Sequence, residues 1–438
     1  MFRRLPNHLP KDPTFPTDLE GLGYFINDKD QIRQIANPDQ KYQFKINRND
    51  RVNDVYKEAM NTCARQIVLK RLRDLGLEEV RLPLGSTETD KHVPILVSPD
   101  VASKKHVIVF FPERHTDMGV LSYRVMGDEG INIGSIVNFV QCIMKGPPPP
   151  SEVTADGGSD TNPKWALAAE FLVGRPGIVI ANPSQLIWYR GGGRAVTDRE
   201  WLCMPRESAV HEPMRIDEAR NRVEGNKNFE EHVQYIFEHV LSSEDGDQPL
   251  CDPRAKIFVI GQEYPGSAAL QYMVNNWMGW RDRIRCVALI NPQHSLEGLF
   301  STFDMNAPGD VAEREQATDF IARRTRAYRL SHKPLETVMS GRTRLGCNVY
   351  SSGETLYEES VFVRCWPSVL DWVDVCRYSV TFAEPVIDEV LSDEEDEKTE
   401  QEKPKTRSPR RPQTEEEQLT ARFHGELKVT GEGAVAGA

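Results

Sequence analysis

Apolar positions recur in two alternating rhythms along most of the chain. Val55, Ala59, Cys63 and Ile67 fall four residues apart, which predicts a helix, and Gly76 stands where its C-cap belongs. A β-branched and aromatic run follows at 107–111, then a helix over 131–144 and a strand over 177–180. Val233, Ile236, Phe237, Val240 and Leu241 occupy i, i+3, i+4, i+7 and i+8, one face of a helix within 229–241. Further strands are predicted at 257–260 and 284–290, with a helix over 267–277 between them. A polar helix over about 310–330, a last strand near Val349 or Val361 and a helix over 369–375 complete the pattern. Short, continuously apolar strands separated by amphipathic helices predict an α/β fold. Its core is a doubly wound, mainly parallel sheet covered on both faces.

This pattern occupies about 51–380 and is read as one domain. Residues 1–50, rich in Pro, Asn, Asp and Lys, are expected to form an irregular arm pinned to the body by Phe15, Leu19, Leu22, Tyr24 and Phe25. Two polar insertions interrupt the rhythm. One, near 147–163, is rich in Pro and Gly; the other, 186–227, carries Gly191-Gly192-Gly193, and both are expected to be partly disordered. Over 386–438 an acidic block at 392–397 and a basic block at 403–411 replace the apolar residues, the composition of a disordered tail. The basic block is also a candidate nuclear-import signal.

Hydrophobic residues make up 39% of the 438, in keeping with tails and polar loops around an ordinary core. A net charge of -12 argues against a broad phosphate-binding surface, so no direct nucleic-acid contact is expected. The eight cysteines stand singly, with no Cys-x-x-Cys pair, and signal neither a metal nor a cofactor. The start lacks an apolar signal core, and no apolar run is long enough to span a bilayer. The expected setting is therefore nucleus or cytoplasm, not secreted and not membrane-bound, with free thiols.

Function in an open α/β sheet sits at the carboxyl ends of the strands. The informative junction is Gly261-Gln262-Glu263-Tyr264-Pro265-Gly266, where a strand runs through a tight turn into a helix. This is the layout of the hydrolase nucleophile elbow, G-x-S-x-G, with Glu263 in the serine position and Pro265, beside Gly266, in that of the second glycine. A carboxylate is a poor nucleophile toward esters and has no hydroxyl proton for a histidine to remove. The early strand leads from Phe111 into Pro112 and Glu113, where the oxyanion hole belongs. Pro112 has no N–H to donate, and Glu113 brings negative charge to a place that needs positive. His294 follows the strand at 284–290 and is expected on the same edge as Glu263, as a ligand-orienting or a structural histidine.

Several segments resemble one family. Leu19-Glu20-Gly21-Leu22-Gly23-Tyr24-Phe25-Ile26-Asn27 resembles the N-terminal signature of the Argonaute-binding protein two domain family. The segment Glu231-His232-Val233-Gln234-Tyr235-Ile236-Phe237-Glu238-His239 resembles a helix of its animal branch. So do the elbow, Val287-Ala288-Leu289-Ile290 followed by His294, and Trp366-Pro367-Ser368-Val369. The matches keep their order over about 15–375. By this resemblance the fold is α/β-hydrolase-like, a histidine of the animal branch falls near Glu358, and its His-Gly-Ser-Gly falls at Phe111-Pro112-Glu113-Arg114. All three parts of a hydrolase site thus read as replaced.

The resemblance implies a non-catalytic adaptor of an Argonaute siRNA chaperone-type complex in small-RNA-directed heterochromatin formation. Argonaute and a companion silencing subunit are the expected partners. A related domain ends some class II histone deacetylases, so a deacetylase-associated dimerisation module is the alternative; a divergent hydrolase using Glu263, His294, Glu113 and Glu358 is the second. Trp188, Tyr189 and Trp201 are candidate partner contacts in or beside the second insertion, and Arg323, Arg324 and Arg326 a candidate basic patch.

Overall fold

A computed structural model describes residues 9–145, 174–242, 250–304 and 306–387. The insertion expected near 147–163 and the tail from 388 onward lie outside the described residues.

Among the described residues nine strands form one sheet. In chain order they are β1 (Glu78–Leu82), β2 (Val93–Val97), β3 (His106–Phe111), β4 (Gly177–Ile180), β5 (Lys256–Gln262), β6 (Ile284–Ile290), β7 (Thr325–Arg329), β8 (Val338–Ser340) and β9 (Asn348–Ser351). Across the sheet they lie β8-β9-β7-β6-β5-β3-β4-β2-β1. β2 runs antiparallel to both its neighbours and β8 antiparallel to β9; every other pairing is parallel. From β3 the chain moves outward to β4, and from β5 it moves the other way to β6. The β3/β5 seam is therefore the topological switch point, where a crevice opens at the carboxyl ends.

The period-two alternation of the strands fills both faces. Ile108 and Phe110 of β3, with Phe258 and Ile260 of β5, point to one layer. There they meet three helices: α1 (Asp50–Asp74), α2 (Val137–Lys145) and, from the end of the domain, the helix Val361–Tyr378. Val107, Val109 and Phe111, with Ile257 and Val259, point to the other. That layer holds α3 (Phe229–Tyr235, continued by a π-helical turn to Val240), α4 (Glu263–Asn275) and α5 (Pro308–Arg324), and the Val361–Tyr378 helix is α6. Each fully buried Phe, Ile or Val contributes roughly 1.5–3 kcal/mol, which is why the polar residues of β3 and β5, His106, Lys256 and Gln262, stand at the strand ends. Phe15, Leu19 and Leu22 of the N-terminal arm pack on the first layer beside α1.

Several elements differ from the sequence expectation. α2 starts at Val137 rather than near 131, because Gly134 packs on Met126, where a Cβ would come within 2.4 Å. α4 begins at Glu263, not Ser267. The polar helix ends at Arg324; 325–329 is instead the buried strand β7, and Val361 opens a helix. The three arginines do not form one free basic patch, although Arg323 is exposed on the helix face. Arg323 pairs with Asp319 at 2.6 Å, Arg324 donates to the Val380 carbonyl, and Arg326 binds Glu384 at 2.7 Å.

Segment 186–227 is folded, against the expected partial disorder. Its glycines turn a hairpin, Ile187–Tyr189 with Arg194–Val196, and Thr197 caps the helix Asp198–Cys203. Trp188 and Trp201 are each 5% exposed, so they belong to the interior rather than to a partner surface. Trp201 Nε1 donates to the Met214 carbonyl at 2.8 Å, and Trp188 packs on His92.

Candidate functional site

β5 ends at Gln262, and α4 begins at the next residue. The turn between them is closed by a glycine pair. A Cβ on Gly261 would stand 2.3 Å from the Gly266 Cα, and one on Gly266 2.5 Å from the Gly261 carbonyl carbon. The second elbow glycine is thus Gly266 and not Pro265, which lies buried in the first turn of α4, where a missing N–H costs nothing. Glu263, at the apex, has φ 44°, a left-handed conformation that costs a side-chain-bearing residue of order 1–3 kcal/mol. The surrounding packing holds it there, and its carboxyl faces the crevice over the β3/β5 seam.

β3 delivers the opposite wall. Phe111 is fully buried and stacks on Phe237 at 5.8 Å, so it serves the core and not the crevice. Pro112 is buried too. The Glu113 N–H donates to Gln262 Oε1 at 3.3 Å, which occupies the amide that an oxyanion hole would need free. The Glu113 carboxylate turns back to accept from the His115 N–H at 2.7 Å and the Thr116 hydroxyl at 3.3 Å. Arg114 is stacked between two rings, 4.4 Å from Tyr264 and 5.2 Å from Phe229.

The third wall comes from the loop after β9. Glu354 caps this loop, accepting from the backbone of Thr355 and Leu356, and turns the chain so that Glu358 and Glu359 reach the crevice. The result is a cavity of about 230 Å³ lined by Glu113, Gln262, Glu263, Glu358 and Glu359, with His115, Thr116 and Leu121. Glu359 is paired with Arg124 at 3.3 Å. Burial first, then the like charges of Glu113 and Glu358, push the Glu263 carboxyl up to about 7, against the pull of Arg114.

His294 does not line this cavity. Its Nδ1 lies 3.3 Å from Ser267 Oγ and its Nε2 3.3 Å from the Leu345 carbonyl oxygen. Ser267, in turn, donates to the Glu263 carbonyl at 2.9 Å and accepts from the Gln293 N–H. Burial holds the imidazole down to about 4, so it is a neutral tie between loops. Of the predicted residues, Glu113, Gln262, Glu263 and Glu358 come together around the hollow, while Gly261, Tyr264 and Pro112 shape it. Sequence reasoning missed Glu359, His115, Thr116 and Leu121, whose only signal was adjacency to Glu358 and Glu113 or a place in the post-β3 loop. Among the described residues no His, Cys, Asp and Glu group is arranged to hold a metal ion.

A larger hollow, about 400 Å³, lies elsewhere, between α1, Pro94 of β2 and Arg194 and Ala195 of the hairpin. Its buried cation, Arg65, is already engaged by Asp117 at 2.5 Å and by both oxygens of Glu200 at 3.1 and 3.2 Å.

The strand order with its antiparallel second strand, and a strained elbow at the end of β5, define an α/β-hydrolase fold. The family model of the Arb2 domain matches residues 15–335, and the chain belongs to that family. The human protein named cotranscriptional regulator ARB2A is 21% identical over 295 residues, covering 64% of this chain and 65% of the relative, so the match spans just under two thirds of that protein. A fungal esterase from Rhizomucor miehei aligns with TM-score 0.31 and 11% identity over 78% of this chain and 96% of its own. The peroxisomal α/β-hydrolase Lpx1 of Saccharomyces cerevisiae aligns with TM-score 0.29 and 12% identity over 82% and 98%. At such scores the fold assignment rests on the strand order and not on these likenesses. No helix among the described residues is long and apolar enough to cross a membrane.

Proposed function

We propose that this chain is a non-catalytic regulatory subunit that acts by binding, as an adaptor of an Argonaute siRNA chaperone-type complex in small-RNA-directed heterochromatin formation. The observation that carries the non-catalytic reading is the elbow. Its strained apex holds a carboxyl instead of a hydroxyl or thiol, and the neighbouring backbone amide is spent on Gln262. An acyl-transfer site needs a nucleophile that a base can deprotonate and free donors for the oxyanion. The carboxyl does not meet the first need and the Glu113 amide does not meet the second; of the imidazoles, His115 at the cavity accepts from Arg114 Nε, and His294 is tied to Ser267 and Leu345. Membership of the Arb2 family and similarity to a cotranscriptional regulator support the gene-regulatory setting.

The test is affinity purification of the tagged full chain from its own cells after nuclease treatment, read by mass spectrometry. Recovery of Argonaute with a second silencing subunit is the expected result. Recovery of a histone deacetylase without Argonaute would replace the adaptor role by a deacetylase-associated one. Turnover of ester, thioester or haloalkane substrates by the purified chain, abolished by Glu263→Gln, would overturn the non-catalytic reading.

A further inference from the structure

The sheet ends in two unlike edges. β8 has three residues and an irregular register, the blunted form that discourages further pairing. β1 has five, and all of them keep register with β2, from Glu78 opposite Val97 to Leu82 opposite Val93. Its outer side is unpaired. Which backbone groups it presents there follows from Pro94, which stands opposite Arg81. Pro94 has no N–H, and its carbonyl accepts from Asn182 Nδ2 at 2.9 Å, on the β4 side of β2. Arg81 and Pro94 are thus a non-hydrogen-bonded pair. The N–H and C=O of Arg81, and those of Glu79 two residues before it, therefore point out of the sheet. No turn or loop backbone among the described residues takes them up.

Charge then selects what can add to this edge. Leu82 is fully buried and Val80 packs on the same layer, so the alternate residues Glu79 and Arg81 share the other face. Glu79 gives one oxygen to Arg73 at 3.2 Å, in a pair open to solvent. Arg81 makes no ion pair or hydrogen bond among the described residues, although its Nε is buried. Charges of one sign blunt an edge. A carboxylate and a guanidinium two residues apart do not, because they are complementary to the same strand turned round. In an antiparallel pairing centred on Val80, Glu79 of each copy stands opposite Arg81 of the other. Both positions carry outward backbone groups, so this register also closes both main-chain hydrogen bonds of each such pair. Pairings centred on Glu79 or on Arg81 set like charges against each other, and a slip of one residue sets outward groups against inward ones.

We propose that β1 is a self-pairing edge, through which two copies of this chain join antiparallel about Val80 into one continuous sheet. Glu79 and Arg81 form reciprocal ion pairs across the two-fold axis and fix the register. The interface is isologous, as a closed dimer requires. It does not depend on the adaptor reading, since it uses neither the elbow nor its cavity.

The test is sedimentation equilibrium of the purified full chain at rising concentration. The parent chain is expected to pass reversibly from monomer to dimer. Glu79→Arg and Arg81→Glu each put like charges at both crossings and should weaken self-association at least about tenfold, with the melting transition retained. Mixing the two variants should restore a dimer, because a chain acidic at both positions then meets one basic at both. Such recombination of two failing variants does not arise from misfolding. Val80→Cys should cross-link to a covalent dimer under mild oxidation, since Val80 is the position that meets its own copy, while the parent with its eight native cysteines should not. A parent chain that stays monomeric at every concentration would overturn the proposal. So would single variants that associate as tightly as the parent, or a mixture that associates no better than its folded components. If a single variant loses its melting transition, the Val80→Cys cross-link decides alone, and its absence sinks the register and the interface with it.

Discussion

Glu263→Gln isolates the electrostatics of the elbow. The carboxyl titrates at about 7 in the folded chain against an ordinary 4.5, because burial and the charges of Glu113 and Glu358 disfavour its ionised form. Between those two values the folded state holds a proton that the unfolded chain has released, so the group's contribution falls as pH rises. It is fully present below 4.5 and lost above about 7. A displacement of that size corresponds to roughly 3 kcal/mol, and solvent screening at a side chain open to the crevice reduces it to about 1–2 kcal/mol. Glutamine keeps the shape of the protonated acid and the strained φ, so both of those cancel between the two proteins. Urea unfolding of the two chains at pH 5, 6, 7 and 8 should therefore start near coincidence and diverge, with the variant more stable at pH 8. Parallel stability curves across that range would refute the reasoning, since they would mean that neither burial nor the like charges displace the titration of Glu263.

Other perturbations separate the remaining forces. Arg65→Met leaves Asp117, Glu200 and Glu58 buried without their guanidinium and should cost about 3–5 kcal/mol in urea unfolding at pH 7.5, with part recovered at acidic pH as the carboxyls protonate. Arg65→Lys, which keeps the charge but not the fork, should fall between the two. Gly266→Ala drives a Cβ into the Gly261 backbone and should cost about 1–3 kcal/mol or more, with the loss visible as faster amide exchange at the start of α4. Glu384→Leu removes the acceptor of Arg326, Trp372 and the Tyr350 hydroxyl, so the segment after α6 should exchange its amides faster than the sheet does.

The parts of this protein that were legible in sequence are those whose residues bury on both sides. β3, β5 and β6 carry apolar runs at 107–111, 257–260 and 286–290 because each lies inside the sheet with a helix layer above and below. β1 and β2 stand at or next to the sheet's edge, one with Glu78, Glu79 and Arg81 among its five residues and one containing Pro94, so neither carries that signature. β7 hides for a different reason. Arg326 sits in a strand interior only because Tyr350 and Trp372 cover its guanidinium and Glu384 neutralises it, contacts that come from far along the chain. The polar 186–227 segment misled in the same way: Glu200 reads as a surface residue, yet it is 4% exposed and tied to Arg65 of α1, and that pairing helps seat the hairpin and helix that enclose Trp188 and Trp201.

The same division runs through the site. A strand-to-helix junction with Gly261 and Gly266 is local, so the elbow could be read directly, and with it the odd presence of Glu263. What turns that oddity into a cavity is not local. The parallel register pairs Phe111 with Gly261, which places the Glu113 amide against Gln262, and the loop after β9 brings Glu358 to the same hollow from the far side of β6 and β7. Each glutamate alone is an ordinary surface carboxylate. Burial of Glu263 first, and then the charges of Glu113 and Glu358, raise its affinity for a proton. The group that cannot be read from charge at all is Gln262, whose Oε1 accepts from the Glu113 N–H and so ties the end of β5 to the loop after β3.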